Sequence, residues 1–141
     1  MTPTIAVLVS VGRHPASGRA RRADRDARAL ELALRLSPPA KPHVIHAGDP
    51  HEPALQDYLG MGIDSLTVLD LPPEADPIPA LIEHLKSLRP QLVLAGAAAE
   101  AGECSGLVPY ALAQAIDAAL AADIADIALA GDRIDLLQAL P

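Results

Sequence analysis

The apolar and polar positions of the chain alternate between two rhythms. Residues 4–11, TIAVLVSV, form a continuous β-rich run, the pattern of a strand covered on both faces. GRHPASGRARRAD follows, a stretch of Gly, Pro and Arg that reads as a loop. DRDARALELALRL then changes period: Ala27, Leu30, Ala33 and Leu34 make a helical stripe, with Asp24 or Asp26 able to cap its start and SPPAKP to stop it. HVIHA is a short second strand. In GDPHEPALQDYLGMG, Asp49 as N-cap and Pro50 at the first helical position predict a second helix with a glycine stop. DSLTVLDL is a third strand, PPEADPIP a loop, and ALIEHLKSLR a third helix with Leu81, Leu85 and Leu88 on one face. PQLVLAG predicts a fourth strand and residues 105–120 a fourth helix. DIADIALAGDRIDLLQAL reads as two strands around the turn AGDR.

Strand and helix therefore alternate four times before a terminal hairpin. That order predicts a single α/β domain over residues 1–141, a Rossmann-like open parallel sheet with helices on both faces. Right-handed crossovers favour strand order 3-2-1-4. Ligands in such sheets bind beyond the carboxyl ends of the strands, where the order reverses. Here the reversal lies between strands one and four, so the loops SVGRHPASGR and GAAAEAGECSG meet. The second is nearly bare backbone leading to a helix start, and the first is rich in arginine. Backbone N–H groups and helix dipole from one side, with a guanidinium from the other, make a phosphate site. Gly96 ends strand four. Glu100 or Glu103 can accept from ribose hydroxyls, while Ser105 and the N–H groups of Gly106 and Leu107 face phosphate. Arg13, directly after strand one, is the candidate phosphate cation; Arg19, Arg21 and Arg22 are expected on solvent or a partner. A plain turn with Ser105 as N-cap accounts for the same glycines equally well.

Composition narrows the partners. The net charge is −7, which argues against nucleic acid, and with no Phe or Trp and only two Tyr there is no stacking platform. The core must be built from Leu, Ile, Val and Ala. More than half of the 11 basic residues crowd residues 13–28, while the chain beyond Lys41 is strongly acidic. A single cysteine, Cys104, excludes an internal disulfide and suits a reducing, cytoplasmic compartment. No apolar run is long enough to insert in a bilayer, and the first apolar stretch has no positive region before it, so it reads as a buried strand and not a leader. His43 and His46 are three apart on a strand and point to opposite faces, so strand-end and surface histidines are expected and no metal. Cys104 has no base beside it, and GECSG is not a nucleophile elbow, so no catalytic residue is assigned.

Several stretches, in order, resemble the β subunit of electron transfer flavoproteins, the family that includes the FixA proteins. These are VLVSVGR near the start, ALELALRL in the first helix, YLGMGID before strand three, QLVLAGAAAEAGECSGLVPYALAQAI, and the closing GDRIDLLQ. The resemblance implies an adenine nucleotide α-hydrolase-like fold. It implies a non-enzymatic electron carrier that pairs with an α subunit holding FAD, carries AMP structurally, and passes electrons from flavin-dependent dehydrogenases to a downstream acceptor. Carried onto this chain, the AMP site comprises Ser10, Arg13, Asp26, Gly48, Gly96, Glu100, Glu103, Ser105, Gly106 and Leu107. Three places depart from the family: its NPFxE appears as ADRDA, its Asn-Gln-Thr-Gly phosphate loop as AGECSG, which keeps Ser105 and Gly106, and the Lys before Arg13 is Gly12. The family continues for roughly another hundred residues, so the chain reads as the N-terminal part of such a subunit. Two other readings stand beside this one. One is a free-standing adenine-nucleotide module of universal-stress-protein type, although the glycine-rich loop of that group is absent; the other is a structural subunit that has lost its nucleotide.

Overall fold

A computed structural model of the chain describes residues 3–96 and 106–139. Four parallel strands form the central sheet: β1 (Ile5–Leu8), β4 (His43–Gly48), β5 (Thr67–Asp70) and β6 (Leu92–Ala95), in the order β5-β4-β1-β6. This is the expected 3-2-1-4 arrangement. Its decisive pairing is β1 with β6, where Ile5 lies opposite Leu92 and Leu8 opposite Ala95. Because successive strand side chains point to opposite faces, β1 divides its residues between two cores. Ile5, Val7 and Val9 pack with Ala29, Leu30 and Ala33 of α1 (Asp24–Leu36) and with Leu55 and Tyr58 of α2 (Leu55–Leu59). Ala6 and Leu8 pack with Leu81 and Leu85 of α3 (Ile78–Leu88) and Leu112 of α4 (Val108–Ala115). Helices thus cover both faces. The terminal hairpin is present as β7 (Ile124–Ala130) and β8 (Arg133–Gln138), turning at Gly131 with φ +65°.

The sequence reading needs four corrections. The loop after strand one contains a second, small hairpin, β2 (Val11–Arg13) against β3 (Ala20–Arg22), so the predicted single run 4–11 breaks after Leu8 and changes sheet. Neither Asp24 nor Asp26 caps α1. The N-cap is Ala23, in extended conformation, and both aspartates lie in the first turn. The buried stripe of α1 is correspondingly rotated: Asp26, Ala29, Leu30 and Ala33 are buried, while Ala27 and Leu34 lie at its edge. The second helix begins at Leu55 and not at Pro50. Asp49 Oδ1 instead accepts from the His51 N–H at 2.8 Å in a local turn. Pro53 explains the delay, since a proline disfavours helical backbone in the residue before it. The fourth helix spans Val108–Ala115, shorter than expected at both ends. Asp117 takes a left-handed φ of +55°, and the Ala118 N–H donates back to Ala113 O at 2.8 Å, a Schellman-type stop with aspartate where glycine is usual.

Candidate functional site

At the carboxyl end of the sheet lies a cleft of about 850 Å³. Its floor at the β1–β6 reversal is organised by one carboxylate. Asp26, 5% exposed, projects from the first turn of α1 across both strand ends. Its Oδ2 accepts from the Ser10 backbone N–H at 2.8 Å and from the Ser10 hydroxyl at 2.5 Å, and its Oδ1 accepts from the Gly96 N–H at 3.0 Å. Hydrogen bonds to an ionised acceptor are about twice as strong as neutral ones, so Asp26 ties α1, β1 and β6 together. The tie leaves no room for a side chain at Gly96, just beyond β6. A Cβ at Gly96 would collide with Asp26 Oδ1 and stand 2.9 Å from Arg25 Cβ. Ser10 is held from its other side as well: the fully buried Tyr58 hydroxyl donates to Ser10 O at 2.5 Å and accepts from the Ala23 N–H at 2.8 Å. Ser10 and Ala23 are the two roots of the β2–β3 hairpin, so Tyr58 closes that hairpin at its base.

The β4 end of the cleft is built differently. His46 is 8% exposed, lines the cleft, and makes a 3.0 Å hydrogen bond from Nδ1 to Val9 O. A carbonyl oxygen only accepts, so Nδ1 carries the proton in this bond. Nε2 stands over Gly48, 2.8 Å from the position a Cβ there would occupy. Asp49, Glu52, Glu74 and Asp76 line this side, and Arg13 is the one cation among the described lining residues.

Of the sequence-assigned residues, Ser10, Arg13, Asp26, Gly48, Gly96 and Gly106 all line this one cleft. Gly106 has φ +79° and leads into α4, whose first turn contains Pro109. Arg13 Nη1 donates to Gly18 O at 3.3 Å, within the hairpin loop. The Leu107 side chain is exposed and does not line the cleft. Glu100, Glu103 and Ser105 lie outside the described residues, as does Cys104. Arg19 and Arg22 are exposed, and Arg21 is half-buried with Nη1 3.5 Å from Asp24.

The electron transfer flavoprotein domain matches residues 13–140. The chain belongs to the electron transfer flavoprotein family. Within that family its likeness is to the β subunit: it is 47% identical over 147 residues to the electron transfer flavoprotein subunit beta of Chromohalobacter salexigens. The match takes in the whole of this chain and 55% of that relative, so the chain spans about half the length of the curated relative it matches. Among the described residues no helix is long and apolar enough to cross a membrane.

In this electron transfer flavoprotein chain two features, one lining the cleft and one buried behind it, escape sequence reading. His46 is buried, against the expectation of a surface or strand-end histidine; the alternation of β4 correctly separates it from the exposed His43 but says nothing of the Val9 carbonyl that waits for it. Tyr58 gives no signal beyond a helical position, yet its hydroxyl bridges residues 48 and 35 positions away.

Proposed function

We propose that this chain acts as the N-terminal part of an electron transfer flavoprotein β-like subunit. It pairs with an α subunit that holds FAD, carries AMP structurally in the cleft, and supports electron transfer from flavin-dependent dehydrogenases to a downstream acceptor. The flavin on the partner supplies the redox chemistry; this chain binds, orients and supports. Family membership supports the subunit role. The observation that carries the nucleotide reading is the gathering of six assigned residues around one cleft at the sheet reversal. The cleft suits a mononucleotide: it is roomy, it carries glycine at Gly48, Gly96 and Gly106, and His46 Nε2 stands over Gly48. The Arg13 guanidinium and the backbone N–H groups of Gly106 and Leu107 hold the phosphate at the start of α4; Ser105 for the phosphate and Glu100 or Glu103 for the ribose, which lie outside the described residues, complete the proposed site. Asp26 acts indirectly, by fixing Ser10 and Gly96 at the floor.

One observation favours a second reading, a structural subunit without nucleotide. The Ser10 and Gly96 N–H groups, which point to the reversal, are already satisfied by Asp26. Calorimetry with AMP separates the two. Gly106→Asp puts a carboxylate beside the expected phosphate at a backbone angle that aspartate tolerates better than most residues. AMP binding then falls at least about tenfold while circular dichroism is unchanged. If the wild-type chain paired with its α subunit takes up no AMP, the second reading stands.

A further inference from the structure

We propose that His46 selects the base of the bound nucleotide, favouring a base that presents an exocyclic amino group over one that presents a carbonyl at the same place. This rests on the nucleotide reading above and adds to it the orientation of the ligand and the residue that chooses it. The cleft has two chemically unlike ends. Arg13 lies on the β2 side, while Asp49, Glu52, Glu74 and Asp76 line the side of β4 and the loop after β5. Asp26, the carboxylate at the Arg13 end, is turned onto the Ser10 and Gly96 N–H groups and the Ser10 hydroxyl, whereas the four carboxylates at the other end line open space. A phosphate is repelled by those four and drawn to the guanidinium, so it takes the Arg13 end, and the neutral base takes the end at His46 and Gly48.

His46 is well made for reading that base. It is 8% exposed, and its ring is held by the Nδ1–H···O bond to Val9 at 3.0 Å. That bond fixes the tautomer: in the neutral ring Nε2 is an acceptor only. Among the described residues nothing donates to Nε2, which stands over Gly48 at the cleft wall. Gly48 contributes by lacking a side chain, since a Cβ there would be 2.8 Å from Nε2 and would cover it. Nε2 is not among the buried polar atoms without a partner, so it is open to water at the cleft wall. A base laid against this wall takes that water away, and a ligand amino group supplies the donor that replaces it. A carbonyl oxygen in the same place sets acceptor against acceptor. Sites built around one polar contact discriminate mainly by this penalty.

The test is calorimetric titration of the full chain, alone and paired with its α subunit, with AMP and with IMP, which carries a carbonyl where AMP has its amino group. The wild-type protein binds AMP about tenfold or more tighter than IMP. His46→Asn keeps a donor near the Nδ1 position for Val9 O and deletes Nε2. AMP affinity then falls until the ratio is within about twofold, with the melting curve unchanged. His46→Phe gives the same collapse of the ratio if it folds. A wild-type ratio near one overturns the inference, as does an equal loss of both nucleotides in His46→Asn, which is the signature of a purely structural histidine. If AMP binds normally but the ratio ignores His46, the nucleotide reading survives and the inference falls. If the wild-type protein binds neither nucleotide, both fall.

Discussion

At the β1–β6 end of the cleft every polar group described above finds its partner within the protein: Asp26 accepts from Ser10 and Gly96, and Tyr58 takes the remaining Ser10 and Ala23 backbone groups. At the β4 end, His46 uses one nitrogen on Val9 and turns the other to the cleft. The two ends lie on one sheet and flank one space, yet the first is cross-braced and the second open. The difference teaches where stability and recognition are separated. A satisfied, buried carboxylate fixes strand ends and tolerates little change, whereas an acceptor at a cleft wall contributes little to folding and is available to a ligand.

Substitutions along the cleft sharpen that contrast. The largest loss is expected from Asp26→Ala, which leaves two backbone N–H groups without their charged acceptor; it destabilises the chain by about 3–5 kcal/mol, read as a shift of the urea midpoint. Gly96→Ala follows at about 1–3 kcal/mol because its Cβ collides with Asp26 and Arg25. The pair is diagnostic: in a double-mutant cycle the two losses sum to less than their separate values, since the clash needs the carboxylate. Strict additivity would mean that the brace is not what makes Gly96 obligatory. Tyr58→Phe removes one hydroxyl serving two backbone groups and costs about 1–3 kcal/mol, with hydrogen exchange rising at the Ala23 amide. The smallest effect on stability belongs to the open end. Gly48→Ala presses only on the tip of the His46 ring, so thermal unfolding moves by no more than about 1 kcal/mol while AMP affinity drops. A Gly48→Ala variant as unstable as Gly96→Ala would erase the distinction between the two ends.

The sheet was legible from the sequence because its parallel strands read as apolar runs and the spacing between consecutive ones leaves room for one helix, which restricts the topology. The 3-2-1-4 order follows from that alternation and from the hand of the crossovers. The cleft was legible for the same reason, as the place where loops after strands one and four must meet. What the sequence hid were contacts that ignore periodicity. Asp26 reads as a helix cap because caps are local, but its partners are 16 and 70 positions away. The β2–β3 hairpin looked like a loop because its strands are three residues long and rich in arginine and glycine. Asp49 and Pro50 promised a helix start that Pro53 delayed. Buried histidine and surface histidine share one residue type, and only the position of Val9 O separates them.

The central claim is that this cleft carries an adenine mononucleotide, and the most direct measurement is mass spectrometry of the small molecules released when the purified chain, paired with its α subunit, is denatured. The account predicts AMP released in one-to-one proportion with this chain, alongside FAD from the partner. Release of FAD with no mononucleotide would contradict it.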